Sequence, residues 1–397
     1  MISRFRVENY KLLSRVDIPL TPIHVIVGQN DSGKTSLLEA ISAFCRSAEP
    51  GRQVAQLFGG KWQGRELVFM GSAKPTIDFE AQLDGRWQGR ECSVKYGFQL
   101  QFTFPAASDC IVASEWSIDI DRKNISSSNS STGVSNVNSM NQLEHARLGL
   151  DKIAGLIGES GFYRFEPRMM ALPAAFDPTR RNRMDPDGFG LPTLLDDIVG
   201  NDAEKFVAMS KEFCRFLPEF RRVRLETEDG NQRNYQPNGL HTWGRATGKG
   251  IHFETAEGGT IRAQQASDGA LLFLGFLSLL YAPNPPKVLL IEEPEKGVYP
   301  KRLAEIIGLL KRMIDDPGGR EIPQIILTTH SPYVLSQFRP EEVTLMSRQG
   351  DHAIARPLRD APHIQERLAG GEFYLGELWY NLDEEELFQD VQAERRD

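Results

Sequence analysis

Residues 28–36, GQNDSGKTS, have the composition and spacing to hold a chain of phosphates. Gly28 and Gly33 permit backbone turns that point successive N–H groups inward, with Asn30, Asp31 and Ser32 filling the loop between them. Lys34 brings a cation to the β- and γ-phosphates. Thr35 offers a hydroxyl to Mg²⁺ at the start of a helix, with Ser36 beside it. The apolar run His24 to Val27 reads as the strand in front of the loop. Leu37, Leu38, Ile41 and Phe44 recur at helical spacing behind it. The chemistry expected is nucleotide binding.

Three later stretches could supply the rest of a site. KVLLIEEPE (287–295) is an apolar run closed by two carboxylates, as a buried parallel strand is when its C-terminal end carries chemistry. Glu292 would reach a metal, and Glu293 would polarise the attacking water. IPQIILTTHSP reads as a second buried strand ending at His330. A lone histidine is more often structural, yet this position at a strand's C-terminal edge favours a γ-phosphate contact. Ser267, Asp268 and Gly269 precede the apolar helical stretch Ala270–Ala282. They read either as an anion site of a small hydroxyl, a glycine and free N–H groups, or as plain helix capping.

The elements around these residues follow from the patterning. Residues 2–8 and 16–27 read as strands leading into the loop. Residues 76–83 alternate apolar and polar up to a turn at Asp84-Gly85, a second alternating run covers Val94 to Phe104, and Ile111–Ile120 adds a further antiparallel strand. Residues 124–142, rich in Ser and Asn, have little to bury and read as a flexible loop. Residues 143–225 read as mainly helical, broken at Pro167, Pro173, Pro178 and Pro186, and strand-like sequence then runs to 262. Pro300 opens a helix with Leu303, Ile306, Ile307 and Leu310 on one face. No sustained heptad pattern predicts a coiled-coil arm.

Composition narrows the class. The net charge of −8 argues against a surface coated with phosphate-binding charge. Two local basic runs remain, Arg180 to Arg183 and Arg221 to Arg224, and such runs are usually solvated surface. The apolar stretch at 270–282 is too short to cross a bilayer, and the N-terminus has no secretory pattern, so a cytoplasmic protein with no membrane partner is expected. Cys45, Cys92, Cys110 and Cys214 lack paired spacing and read as core thiols.

The order of these pieces resembles the ATP-binding-cassette (ABC) superfamily in its SMC/Rad50/RecF/OLD-like branch, with FRVENYKLLSRVDIPL similar to that branch's first two strands. YRFEPRMMALP, DGFGLPTLL, FLPEFRRVRLE, SDGALLFL, LLIEEPEKGVYP, TTHSP and LGELW are similar to the stand-alone predicted ATPases of the AAA_21 type. The resemblance implies an α/β fold: an ABC-type P-loop ATPase head with an antiparallel β subdomain and an inserted, mainly helical lid. The N-terminal lobe would span 1–123, the loop 124–142, the lid 143–262 and the C-terminal lobe 263–397. It implies ATP and Mg²⁺ as ligands, with Lys34, Glu293 and His330 catalytic and Thr35 and Glu292 on the metal. Ser267 to Gly269 stand where transporter-type cassettes carry their signature and would clasp ATP bound to a second copy, making a homodimer with composite sites. Tyr299 departs from a frequent histidine, and Gln142 is the one candidate for the glutamine loop.

Relatives with overcoming-lysogenisation architecture carry a Toprim nuclease. The 67 residues after His330 are too few for one, so an effector in trans, a nuclease of Toprim or HNH type, is expected. The roles implied are anti-phage defence or DNA maintenance, with DNA a possible ligand. An ATP-gated scaffold with negligible turnover is the alternative. A transporter subunit is disfavoured by the long insertion and the absence of LSGGQ.

Overall fold

The computed structural model describes residues 1–49, 57–58, 64–102, 110–120, 124–129, 149–158, 160–177, 184–235, 241–296, 298, 300–315, 323–361, 364, 367–368, 374–381 and 387–388. These fall into two compact units. One holds Met1–Gly161, Lys287–Leu290 and Pro323–Asp397, and the other holds Phe162–Pro286 and Ile291–Ile322.

The first unit contains an antiparallel sheet of six strands in the order β2-β1-β4-β5-β6-β7. The strands are β1 Ile2–Tyr10, β2 Leu13–Pro19, β4 Thr76–Trp87, β5 Arg90–Phe102, β6 Cys110–Asp119 and β7 Asn124–Asn129. Alternation puts Phe5 and Val7, Ile77 and Phe79, and Tyr96 and Phe98 on the buried face. Helix α1, Lys34–Ser47, packs Phe44 into that face, edge-on to Phe5 at 5.6 Å and stacked on Phe98 at 6.0 Å. The helix that carries the phosphate loop is thereby anchored through an aromatic contact.

Three sequence expectations change here. The stretch 16–27 is two strands, β2 and β3 (Ile23–Gly28), with Pro22, which has no N–H to give a ladder, between them. The first hairpin turns at Gln88-Gly89, not at Asp84-Gly85. Both turn residues have positive φ, 49° and 78°, and Trp87 pairs with Arg90, the two-residue geometry that matches strand twist. Asp84 stays in the ladder opposite Ser93, whose hydroxyl donates to its carboxylate at 2.5 Å. Finally, Asn124–Asn129 are strand β7, paired antiparallel with β6 in the register Ile118↔Ile125, because β6 offers a free edge to them. The remainder of the expected loop, like Phe104, Gln142, Arg180 to Arg183 and Tyr299, lies outside the described residues.

The second sheet runs β16-β15-β3-β14-β13-β8, with β8 Ser160–Tyr163, β13 Val288–Glu292, β14 Gln324–Thr329, β15 Val343–Gln349 and β16 His352–Pro357. β3 lies parallel to both β14 and β15 and is buried along its whole length, which is why its sequence is an unbroken apolar run apart from His24. His24 is a structural histidine. Burial pushes it down to about 3, so its ring is neutral, and it exchanges hydrogen bonds with Thr21 at 3.1 Å and Thr344 at 2.9 Å. Gln324 bonds the Ile2 backbone through both its side-chain amide oxygen and nitrogen at 2.7 Å and so joins β14 of this sheet to β1 of the other.

The second unit has helices α2 Leu191–Asn201, α3 Ala203–Phe216, α4 Asp268–Tyr281 and α5 Pro300–Asp315. It also holds a long hairpin, β10 Phe220–Tyr235 with β11 His241–Thr255, crossed by β9 Ala174–Ala175 and edged by β12 Thr260–Arg262. α4 is buried on every side from Ala270 to Tyr281, as its continuous apolar sequence requires. Phe213 stacks with Phe220 and Phe253, and Phe216 meets Phe273, so α3 fastens both the hairpin and α4. Arg302 of α5 donates to the Phe216 carbonyl at 2.8 Å. These contacts belong to the second compact unit, which holds α3, α4, α5 and the hairpin.

Cys45 and Cys110 are core thiols that burial pushes up to about 12, whereas Cys92 and Cys214 are only half-buried. Arg224 is paired with Glu254 at 3.2 Å, and Arg221 and Arg222 are exposed.

Candidate nucleotide-binding site

The phosphate loop leaves the C-terminal end of β3 and enters α1. A Cβ at Gly28 would stand 2.1 Å from the Met346 carbonyl oxygen of β15, so no other residue fits there without moving the strand. Gly33 is the N-cap of α1 at φ 94°, ψ 9°, the left-handed conformation that glycine adopts without strain. Asp31, at φ 62°, is held in the same region and is exposed, like Asn30 and Thr35, while Ser36 is half-buried.

Two features mark this as a loop built around an anion. Ser32 Oγ is buried and makes no hydrogen bond, an orphaned donor of the kind that folded proteins seldom leave. The Lys34 side chain is 6% exposed and folds back so that Nζ donates to the carbonyls of Gly28 at 2.9 Å and Gln29 at 2.6 Å. A cation held at a helix N-terminus beside an unused hydroxyl suits a polyphosphate. Gly28→Ala is expected to lower the melting temperature and weaken nucleotide binding together, because overpacking against a backbone carbonyl costs about 1–3 kcal/mol and displaces the loop. Thermal melts with and without ATP check it; a variant that keeps its ATP-induced shift contradicts this reading of the loop.

β14 and β3 are in parallel register with Thr329 beside Val27, so His330 follows at the level of Gly28. Unlike His24, His330 is exposed, at the strand edge where ligands of open α/β sheets bind.

In the second unit, Glu292 closes β13 with 6% exposure and faces the Arg164 guanidinium at 3.7 Å. Glu293 sits at φ 46°, a left-handed conformation that is strained for a glutamate, and pairs with Lys296 at 2.5 Å. The backbone turns there, with Lys296 N–H donating to the Glu293 carbonyl at 3.1 Å. Ser267 caps α4: its Oγ accepts from the Ala270 N–H at 3.3 Å, while Asp268 is exposed and Gly269 half-buried. Capping and a role toward an anion are compatible, since the hydroxyl is at the surface and can still donate.

The donor chemistry fits Mg²⁺. Thr35 in the first unit and Glu292 in the second each carry a hard oxygen donor, the kind of ligand that Mg²⁺ takes, and among the described residues no group of three or more His, Cys, Asp or Glu side chains could cage a metal. Sequence reasoning missed Arg164 and Lys296, the cations beside the two acids. Lys296 could have been suspected from its place three residues after Glu293, but Arg164 has no local signal, being far away in the chain.

A phosphate loop at the end of β3, an acid pair at the end of β13 and a separate antiparallel sheet are features of an ATPase head. The chain belongs to the AAA_21 family, described as "AAA domain, putative AbiEii toxin, Type IV TA system", whose profile matches residues 130–336. An AAA ATPase domain profile, AAA_15, matches residues 1–144. A crystal structure of an SMC head bound to the C-terminal winged-helix domain of ScpA aligns with TM-score 0.52 and 15% identity over 89% of this chain and 96% of that one, a likeness of fold. An SMC head with an extended coiled coil, bound to the C-terminal domain of ScpA derived from Pyrococcus furiosus, aligns at 0.46 and 14% over 93% of this chain and 99% of that one, too low to carry an argument. The OLD nuclease of Thermus scotoductus is 46% identical over 41 residues, which is 10% of this chain and only 8% of the nuclease.

Proposed function

We propose that this ATPase binds ATP with Mg²⁺, closes with a second copy around two nucleotides, and uses closure and hydrolysis to control an effector or a DNA transaction, in prokaryotic anti-phage defence or DNA maintenance. The observation that carries the reading is the phosphate loop, with its buried unbonded Ser32 hydroxyl and its folded-back Lys34. Lys34 leaves its two carbonyls to meet the β- and γ-phosphates, and Gly28, Asn30, Asp31, Ser32, Gly33, Thr35 and Ser36 wrap them. Thr35 and Glu292 would hold Mg²⁺, which would supply positive charge against the phosphates. Glu293 orients water and takes its proton, His330 contacts the γ-phosphate, and Ser267 to Gly269 of the partner copy complete the site. The partner in trans is a nuclease of Toprim or HNH type. Among the described residues no helix is long and apolar enough to cross a membrane; the proposed place of work is the cytoplasm.

The Lys296–Glu293 ion pair favours a second reading, an ATP-gated scaffold or DNA clamp with negligible turnover, since a base held by a cation is a poor base. One substitution separates them. If Glu293 is the base, Glu293→Gln retains ATP and accumulates the closed dimer while single-turnover hydrolysis falls about a hundredfold or more. An equal rate in parent and variant, with or without DNA, removes Glu293 from catalysis and leaves the scaffold.

A further inference from the structure

The stretch LGELW (375–379) opens helix α7, Leu375–Asn381. Its residue types explain most of its local structure. The Glu377 carboxylate accepts from the Tyr374 N–H at 3.1 Å, one half of a capping box, and Leu375 and Leu378, three apart, are both buried. Gly376 answers to a neighbour. A Cβ there would stand 1.9 Å from the Pro332 carbonyl oxygen and 2.5 Å from Ser336 Oγ, so no side chain fits while α7 lies against the short helix α6, Pro332–Leu335.

Helix α6 follows His330 directly. The Ser331 N–H donates to Thr329 Oγ1 at 3.0 Å, and the Pro332 carbonyl accepts from both the N–H and the hydroxyl of Ser336 at 2.9 Å. Val334 and Leu335 are wholly buried. The carbonyl that Ser336 binds is the atom that Gly376 approaches, so its place is set from its own helix and again from α7. Pro332 lies two residues beyond His330, and its ring fixes φ. A displacement of this peptide therefore has little slack to absorb it before it reaches His330.

We propose that Gly376 is a positioning residue for His330: without a side chain it lets α7 close on the Pro332 carbonyl, and that contact holds the His330 turn at the level of the phosphate loop. This rests on the reading of His330 as a γ-phosphate contact. A side chain at 376 drives α6 and α7 apart and carries the turn with it. Turnover is then lost while ATP capture, which belongs to the phosphate loop, is kept.

The test is steady-state hydrolysis of MgATP by the full chain, with equilibrium binding of a non-hydrolysable ATP analogue measured beside it. Gly376→Ala is expected to lower kcat about tenfold, the scale of a small misplacement at a reacting centre, with the analogue's Kd within about twofold of the parent's. Ser336→Ala overpacks nothing and removes one of the two donors to the same carbonyl, so kcat should fall about threefold. In a His330→Ala chain, whose own kcat is reduced, neither substitution lowers the rate further, as a general loss of stability would. Parental turnover in folded Gly376→Ala, a loss of analogue affinity as large as the loss of turnover, or an equal fall in the His330→Ala background overturns the positioning role. If Gly376→Ala does not fold, parental turnover in Ser336→Ala overturns it. A His330→Ala chain that hydrolyses ATP at the parental rate overturns instead the reading of His330 itself.

Discussion

Lys34→Ala abolishes ATP binding in a chain that still folds. The ammonium is the one cation among residues 28–36, and it is nearly buried against the loop's own carbonyls, so its charge acts across little solvent. Each hydrogen bond to a charged group contributes about 1.5–3 kcal/mol, and the lysine serves two phosphates, so affinity should fall by at least about a hundredfold. The truncation also strips the Gly28 and Gln29 carbonyls of a donor, which lowers stability somewhat without unmaking α1, whose hold on the sheet is the Phe44 cluster. Isothermal titration calorimetry measures the binding, and circular dichroism confirms the fold. Full-affinity ATP binding by folded Lys34→Ala removes the phosphate loop from nucleotide recognition.

How far the sequence could be read depended on whether the signal was local. The loop, its strand and its helix are contiguous, and every position from Gly28 to Ser36 reads directly from residue type. β13 and β14 were legible because a strand buried on both faces must be apolar, and the acids or histidine at its end then stand out. Helix α4 was legible for the same reason.

What failed did so where a partner elsewhere in the chain decides. Asp84-Gly85 is a good turn dipeptide, yet the pairing of Leu83 with Val94 carries the ladder past it to Gln88-Gly89. Asn124–Asn129 lacks strand propensity and becomes a strand because the edge of β6 is available. The strand-like stretch expected up to 262 is the long hairpin of β10 and β11, but β10 begins at Phe220, inside the stretch read as helical, and the packing of α4 and α5 beside it is a tertiary fact. The ion pair Arg164–Glu292 belongs to the same class: the acid was visible in sequence, and its distant counter-ion was not.

In the proposed dimer each ATP site is completed by the second copy, with Lys34 and Glu293 from one chain and Ser267 from the other. Ser267 is exposed at the N-terminus of α4, so Ser267→Arg can be built without burying the guanidinium, at the cost of about 1 kcal/mol for the cap. It places a bulky cation where a small hydroxyl must approach phosphate, and its homodimer should be inactive. So should that of Lys34→Ala. In a two-fold dimer the mixed pair gathers both defects into one composite site and leaves the other with Lys34 and Ser267 intact. The decisive measurement is the ATPase rate of the two inactive proteins mixed in equal amounts, with heterodimer formation verified by distinguishable tags. The composite site predicts recovered hydrolysis, and it predicts that a chain carrying both substitutions, mixed with parental protein, yields heterodimers with no working site. If heterodimers form and hydrolysis does not return, while the doubly substituted chain leaves its parental partner with one working site, Ser267 acts within its own chain and the shared site is contradicted.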